Sequence, residues 1–487
     1  MSEKCDLIVI GGGSAGLIAA GGAAILGAKV ALVEKNALGG DCLYTGCVPS
    51  KTLIESAKFA HQMHNAEKYG FQNSEPKFAD DSFASVINRV QNVIEIIEQH
   101  DAPEVFEKMG VEVIFGSPRF TNAHEIEVAL KDSDEKRVLK SKKFCIATGS
   151  SPVRPPIEGL DEAGFITNEE IFRIKELPKR LVILGGGAIG AELGQSFARF
   201  GSKVTIIEMA ERILSKEDTE VSRLMEKILK SENVEIRTKT KAVKVHKNQN
   251  GAKIITCETE GKTFEIETDE ILAAVGREPN VKGLELEKAG VEFDKKQIKT
   301  NDYLQTTSKN IFAAGDVTAH FQFTHTADYE AQIVIRNAFA PFFLKQKTDF
   351  RVVPWATFTE PEIGRVGLTE AQAREKFGDA DVKIYHADFA DNDRAQTSGK
   401  VVGFAKIVVR KNRIIGAHLV GEHAGELIHE FVWAMRENLK ISDLNKIIRV
   451  YPTRSKIVQA VGTQATLENL KSPLSQKLFK FYLKIWR

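Results

Sequence analysis

Asp6-Leu7-Ile8-Val9-Ile10-Gly11-Gly12-Gly13-Ser14-Ala15-Gly16 decides the fold, because a short apolar run passes without a break into glycines. An Ala-rich stretch of helical character follows to about Gly27, and Lys29 to Val33 reads as a second strand ending in Glu34. Strand, glycine turn, helix and strand are the parts of a parallel βαβ unit. Gly11, Gly13 and Gly16 match the spacing G-x-G-x-x-G, which gives a tight turn, a close backbone approach to a pyrophosphate, and tight packing of helix on strand. Ser14 opens the helix and belongs to the same cradle, where unpaired N–H groups and the helix dipole attract phosphate. Glu34 would accept the ribose hydroxyls.

The unit recurs. Arg180 to Leu184 reads as a strand entering Gly185-Gly186-Gly187-Ala188-Ile189-Gly190, a helix runs to about Phe200, and Lys203 to Ile207 is a strand ending in Glu208. Gly185, Gly187 and Gly190 hold the fingerprint positions. Glu34 lies 23 positions after Gly11, and Glu208 lies 23 after Gly185. Two matches in glycine spacing, element order and acid position predict two bound dinucleotides. Glu208 accepts from a free 2′-hydroxyl and repels a 2′-phosphate, which favours NADH over NADPH. Arg212, close by in the chain, acts in the opposite direction.

Between the two units stands Gly40-Asp41-Cys42-Leu43-Tyr44-Thr45-Gly46-Cys47-Val48-Pro49-Ser50-Lys51. A bond between Cys42 and Cys47 would close too short a loop to stabilise a chain of 487 residues, since cross-link stabilisation grows with the loop removed from the unfolded ensemble. Its use would lie in opening and closing. The bland alternative is a pair of unbridged thiols in a helix cap, and a zinc site would need partner ligands that are not nearby. Cys5, Cys145 and Cys257 fall on expected strands and read as inert packing residues.

The remaining composition sets bounds. The length suits about three domains, each with its own core. A formal net charge of +1 gives no general attraction to nucleic acid. No apolar run has the length of a membrane span, and Leu7 to Ile10 is a strand and not a leader's apolar core. These features, with few cysteines, lead to the expectation of a cytoplasmic protein without a resident metal. Helical pattern is expected from about Lys51 to His64, from Asp81 to about Glu107, and for about thirty residues after Asp316. Strands are expected through Phe115, Ile126 and Val138 and at Phe144 to Ala147, and the chain beyond Val353 reads as strand-rich and then helical.

Gly11 to Gly16 with Glu34, Gly40 to Lys51, Ala147-Thr148-Gly149, Gly185 to Gly190 with Glu192, Gly276-Arg277-Glu278-Pro279-Asn280, Ala313 to Asp316, Phe358-Thr359-Glu360-Pro361-Glu362 and Ala424 to Ile428 form an ordered set over nearly the whole chain. The set resembles the class I pyridine nucleotide-disulfide oxidoreductases, which include dihydrolipoamide dehydrogenase, glutathione reductase and mercuric reductase. The resemblance implies an α/β fold with two Rossmann-like dinucleotide-binding domains plus an α+β C-terminal dimerisation domain. It implies an FAD domain at 1–156 resumed at 278–350, an NAD domain at 157–277, an interface domain at 351–470 and a basic tail at 471–487. A homodimer with shared active sites follows, with FAD and NAD as cofactors. By the same resemblance Cys47 is the thiolate beside the flavin, Cys42 the interchange thiol, Lys51 and Glu192 an ion pair near the flavin, and Asp316 a ribityl ligand. Thr148, Gly149, Gly276 and Arg277 join the cofactor-binding set. Without that context Lys51 would be an ordinary helix lysine.

The chain departs from the family near its end. Where disulfide reductases of the family carry His-Pro-Thr and then Glu, this chain reads Tyr451-Pro452-Thr453-Arg454-Ser455-Lys456. A phenol donates a hydrogen bond but is a poor base near neutral pH, so Tyr451 argues against dihydrolipoamide dehydrogenase activity. His429 would replace the missing histidine only if the fold brought it to Cys42. Mercuric reductase resembles the chain better there, although this sequence has no cysteine after Cys257 to relay a soft metal ion. The expected acceptor is a metal ion, a quinone or an unusual disulfide. Dihydrolipoamide dehydrogenase, a flavin-only NADH:quinone reductase and an NADH-sensing flavoprotein stand as alternatives. In the tail, Lys477, Lys480, Lys484 and Arg487 share one helix face, opposite Leu474, Leu478, Phe481, Tyr482 and Ile485. Such a helix either lies on the inner face of a membrane or packs its stripe on the dimer.

Overall fold

Leu7–Ile10 is buried along its whole length, and its neighbours explain why it carries no polar residue. In the computed structural model, which describes residues Glu3–Arg487, it lies inside an eight-stranded sheet. The strand order is Glu3–Cys5, Lys136–Ser141, Glu125–Leu130, Val111–Asn122, Val30–Glu34, Leu7–Ile10, Phe144–Ile146 and Ile311–Ala313. The strands around Leu7–Ile10 run parallel, while Val111–Asn122, Glu125–Leu130 and Lys136–Ser141 pair antiparallel. A parallel strand is covered on both faces and so reads as a continuous apolar run. On one face Ala19, Ala20 and Ala23 of the Ser14–Ile25 helix share a core with Ala327, Ala331 and Val334 of the Thr324–Phe339 helix. Small side chains on both helices permit close packing. Ile8, Ile10, Phe120, Phe144 and Ile311 fill the other face.

The chain divides into two compact units. The first comprises Met1–Ala57, Pro76–Gly185 and Ala242–Asp349, and holds this sheet. The second comprises Lys58–Glu75, Gly186–Lys241 and Phe350–Arg487. In the second, Lys203–Ile207 pairs in parallel with Glu235–Arg237, beside the helices Ala188–Arg199 and Thr219–Ser231. A five-stranded antiparallel sheet follows, ordered Pro354–Thr357, Glu362–Gly367, Arg413–Gly421, Phe404–Arg410 and Lys383–Asp388. The helices Ala424–Arg436 and Lys456–Leu470 cover it through Ile428, Phe431, Val458 and Val461. This is the α+β arrangement expected beyond Val353.

One rung across that sheet is charged. Trp355, Arg365, His418, Lys406 and His386 are successive cross-strand partners. Lys406 bonds Asp218 at 2.9 Å and Glu370 at 2.7 Å, and the Trp355 indole donates to Glu217 at 2.7 Å. The rung thereby anchors the start of the Thr219–Ser231 helix, and Lys406 keeps its charge there because Asp218 and Glu370 pair with it, whereas burial favours the neutral ring of His418.

Two expectations need correction. The helix expected from Asp81 to Glu107 is two helices, Ala84–Glu98 and Pro103–Lys108. Pro103 lacks the N–H that continuity would need, so it starts a new helix at its first turn. The helical stretch after Asp316 is Thr324–Phe339, sixteen residues, followed only by a short 3-10 turn at Phe342–Leu344. The tail helix, Pro473–Trp486, buries no residue of its own. Leu474, Phe481, Ile485 and Trp486 are 71%, 60%, 63% and 87% exposed, so the stripe does not pack within the chain.

Candidate active site

The two glycine turns have the same geometry. In the first unit the Ala147 N–H donates to Ile10 O at 2.8 Å, and a Cβ on Gly11 would lie 2.4 Å from Ala147 O. At the second fingerprint the Ala274 N–H donates to Leu184 O at 2.8 Å, and a Cβ on Gly185 would lie 2.4 Å from Ala274 O. Both glycines also hold positive φ, +102° and +105°, so any side chain would be both strained and blocked. The acids match too. Glu34 accepts the Gly12 N–H at 2.6 Å and the Asn36 N–H at 2.7 Å. Glu208 accepts the Gly186 N–H at 2.7 Å and the Ala210 N–H at 2.7 Å. Each carboxylate oxygen keeps a lone pair for a ribose hydroxyl.

Ser14–Ile25 and Ala188–Arg199 begin after Gly13 and Gly187, neither with a side-chain cap nor with an acid in its first turn. Uncapped N–H groups and the positive end of the dipole suit a pyrophosphate. Gly16 and Gly190 are buried one turn into these helices. Arg212, the cation that would favour a 2′-phosphate, is tied into its own loop. Its guanidinium donates to Ser215 O at 2.9 Å, to the Ser222 hydroxyl at 3.3 Å and to Glu217 O at 3.3 Å.

Polar groups from distant parts of the first unit gather at the end of its sheet. Arg277 donates to the Ser150 hydroxyl at 2.7 Å and to Ser150 O at 2.8 Å, and lies 3.1 Å from Asp41 and 3.8 Å from Asp316. The Ser150 hydroxyl donates to Asp316 at 2.6 Å. Burial pushes the Asp316 carboxyl above its ordinary range, against the pull of Ser150 and Arg277. Thr148 and Gly149 are held by Asn280: the Thr148 hydroxyl donates to Asn280 O at 2.7 Å, and the Asn280 N–H donates to Gly149 O at 3.0 Å. Gly276 accepts from the Val153 N–H at 3.0 Å. A glycine cradle, an acid for ribose and a carboxylate beside an arginine fit an FAD.

Cys42 lies in the short helix Gly40–Tyr44 and Cys47 opens the helix Cys47–His64. Both are free thiols. A hydrogen bond from Cys42 is the largest influence on Cys47 and, with Thr324 and the field of Lys51, pulls its thiol down to about 6. The same bond pushes the Cys42 thiol far up. The pair is therefore unequal: Cys47 holds charge and Cys42 holds the proton. Lys51, one turn further along the helix, donates to the Ser50 hydroxyl at 3.2 Å. Cys5, Cys145 and Cys257 are buried, and burial raises the Cys145 thiol to about 12.

Two residues that bear on this site were missed in the sequence. The Thr324 hydroxyl lies 3.4 Å from the Cys47 sulfur. Glu330, fully buried on the same helix, accepts the Gly315 N–H at 2.7 Å and sits 3.1 Å from the His320 ring. The available signal was Glu330 in register with Ala327, Ala331 and Val334 on an apolar face, where an acid must have a bracing partner.

In the second unit, Glu192 is buried and accepts the Phe358 N–H at 2.8 Å. Gln195 and Arg199, on the same helix, bond Glu360. This explains the Phe358 to Glu362 motif as the turn between the strands Pro354–Thr357 and Glu362–Gly367 that these side chains grip. Tyr451 is exposed, and its phenol is pushed up by a hydrogen bond to Asp393. It borders a cleft of about 390 Å³ with His386, Asp388, Asp393, Arg394 and Lys456. The Lys456 ammonium donates to Gln459 at 2.9 Å. His429 is an exposed helix residue whose ring lies 3.2 Å from Glu426 O of its own turn.

Residues 5–331 match the family model described as pyridine nucleotide-disulphide oxidoreductase, and residues 353–461 match that family's dimerisation domain. A mercuric reductase from Staphylococcus aureus is 37% identical over 454 residues, 93% of this chain and 80% of that one. A dihydrolipoyl dehydrogenase from Bacillus subtilis (strain 168) is 32% identical, covering 92% of this chain and 96% of that one. Among solved structures, the Cu(II) complex of the HOCl-induced flavoprotein disulfide reductase RclA from Escherichia coli superposes with a TM-score of 0.83 at 30% identity, over 95% of this chain and 99% of that one.

Proposed function

The chain belongs to the pyridine nucleotide-disulphide oxidoreductase family, and on that premise we propose that it carries electrons from NADH through FAD and the Cys42–Cys47 pair to an acceptor that is not a lipoyl-type disulfide. It is an FAD-dependent enzyme using a pyridine nucleotide, and its dimerisation domain supports a homodimer. The observation that carries the proposal is the placement of two free thiols, Cys42 in the short helix Gly40–Tyr44 and Cys47 at the start of the long helix that follows, with the Thr324 hydroxyl 3.4 Å from the Cys47 sulfur.

FAD, when bound, supplies the two-electron step between nicotinamide and sulfur. Gly11, Gly13, Ser14 and Gly16 would hold its pyrophosphate, Glu34 a ribose, and Asp316 with Arg277, Thr148 and Gly149 the region toward the ring. The reading keeps the four-segment organisation, with residues 1–156 and 278–350 for FAD, 157–277 for NAD and 351–470 for the interface. Two electrons arriving at the Cys42–Cys47 bond break it, Cys42 takes one proton and Cys47 remains a thiolate. Giving both electrons to the acceptor re-forms the bond and releases that proton.

Tyr451 argues against a lipoyl-type substrate. Bonded to Asp393 and pushed up, its phenol is a donor and cannot take a thiol proton near neutral pH. The acceptor class is therefore a metal ion, a quinone or a disulfide that needs no such base. NADH-driven steady-state turnover with lipoamide, oxidised glutathione, mercuric ion, cupric ion and quinones tests this, with dihydrolipoamide and NAD+ as the reverse assay. Quinone or metal-ion turnover at least about a hundredfold above that with lipoamide is expected; comparable turnover of the lipoyl pair in either direction would assign the chain to the dehydrogenases instead.

The exposed tail supports a peripheral membrane contact. No helix among the described residues is long and apolar enough to cross a membrane. Pro473–Trp486 has no acid, and it presents cations on one side and an uncovered apolar side on the other, the pattern of an interfacial helix. The full chain should co-sediment with phosphatidylglycerol vesicles, lose that binding at high salt, and fail to bind once truncated after Ser472. Equal sedimentation of the two forms would remove the tail from the reading.

A further inference from the structure

Phe342 and Phe343 are 79% and 81% exposed, and Leu344 beside them is 48% exposed. Single exposed apolar side chains are common on a protein surface, but contiguous large ones mark a site of interaction. The Phe342–Leu344 turn buries no residue of its own. Phe339, at the end of the preceding helix, adds another ring at 40% exposure.

A loose chain does not account for that exposure. Pro341 stands at the entry to the turn with its backbone dihedral fixed by the ring, and its carbonyl accepts the Leu344 N–H at 2.9 Å. The Arg336 guanidinium donates to Leu344 O at 2.7 Å and to the Gln346 side chain at 3.3 Å, which ties the apolar tip back to the Thr324–Phe339 helix. Asn337, buried on the same helix, donates to Gln346 O at 2.8 Å and accepts the Gln346 N–H at 2.8 Å. The rings are thus held outward in advance, without the ordering cost that a mobile loop meets on binding.

Charge decides the kind of partner. From Ala331 to Thr348 the chain carries Arg336, Lys345 and Lys347 and no acid. Lys347 is matched by Asp302 at 2.9 Å. Burial, and after it the nearby Lys345 ammonium, hold the Lys143 ammonium below its ordinary range, so these two cations lie close together. Protruding rings with cations at their base fit the boundary layer of an anionic bilayer, where apolar groups enter the acyl region and ammonium groups meet the headgroup phosphates. A protein partner would need a pocket cut for the tip and an acidic rim around it. A lipid surface supplies both without being shaped. We propose that the Phe342–Leu344 turn enters the interfacial layer of an anionic lipid surface, with Lys143 and Lys345 toward its headgroups. The contact is separate from the tail helix, which belongs to the other compact unit, so either can fail alone.

The test is photo-crosslinking of the full-length holoenzyme, with p-benzoylphenylalanine in place of Phe343, on phosphatidylglycerol vesicles. The same probe in place of Lys262, an exposed strand residue of the same compact unit, gives the background. A lipid adduct on the fragment carrying position 343 is expected, at least about tenfold above that background and above the yield with phosphatidylcholine vesicles. Phe342→Ser combined with Phe343→Ser should lower the fraction that sediments with phosphatidylglycerol vesicles at least about fivefold and leave the dimer intact in light scattering. An adduct yield at background, a crosslink to a second protein chain in place of lipid, or a double variant that sediments like the unaltered chain would overturn the proposal. Loss of the dimer in that variant would also overturn it and assign the turn to the subunit interface. Equal sedimentation of the full chain and the form ending at Ser472, with the adduct at 343 still formed, would remove the tail and keep the turn.

Discussion

Replacing Cys42 by serine is expected to lower turnover with the physiological class of acceptor by at least about a thousandfold while NADH still reduces the bound flavin at close to the original rate. The argument is one of connectivity. The Cys42 thiol is pushed up and so holds the proton of the reduced pair, while Cys47 holds the charge. Exchange runs through a thiolate, so Cys42 gives up its proton as it meets the outside partner, and without Cys42 no route leads from Cys47 to the acceptor. Flavin reduction is upstream and does not involve Cys42. If quinone turnover survives the substitution unchanged, the disulfide is a spectator and the flavin-only alternative holds.

NADH should reduce the enzyme at least about tenfold more efficiently than NADPH, a difference of about 1.4 kcal/mol. Glu208 occupies the end of its strand with both oxygens already bonded to backbone N–H groups, so its position is fixed and it cannot swing away from a 2′-phosphate. Arg212 would be the natural counter-charge, but Ser215, Ser222 and Glu217 already take its guanidinium. Recruiting it would break those bonds before any phosphate contact formed. Stopped-flow reduction with each donor reads the ratio directly; equal rates would mean that the loop around Arg212 rearranges.

The parts of the fold that were legible in the sequence are those whose signals are local. Leu7–Ile10, the glycine turn, the helix and Glu34 lie within one short stretch, and the same pattern at Arg180 to Glu208 could be checked against it. The different roles of Cys42 and Cys47 were read from the family resemblance, with Lys51 nearby as the physical support for a charged Cys47. What was not legible depends on contacts between residues far apart in the chain. Arg277 follows the second dinucleotide-binding repeat in the sequence, yet its bonds run to Ser150, Asp41 and Asp316, far apart in the chain and all in the same compact unit as Arg277. Thr324 and Glu330 look like ordinary residues of an amphipathic helix until the fold sets them against Cys47 and Gly315. The tail shows the reverse case: its two faces were evident, but whether the apolar one is covered is a property of the packed molecule.

Anaerobic titration of the full-length holoenzyme with NADH, followed in the visible spectrum, tests the central claim most directly. If electrons pass to the Cys42–Cys47 pair and rest there as a thiolate beside the flavin, the first reducing equivalent should raise a long-wavelength thiolate-to-flavin band while the flavin's main absorbance is largely retained. That band should persist in Cys42→Ser and be absent in Cys47→Ser. Immediate bleaching of the flavin with no long-wavelength band in the unaltered enzyme would contradict the account, and a band lost in Cys42→Ser but kept in Cys47→Ser would reverse the roles of the two sulfurs.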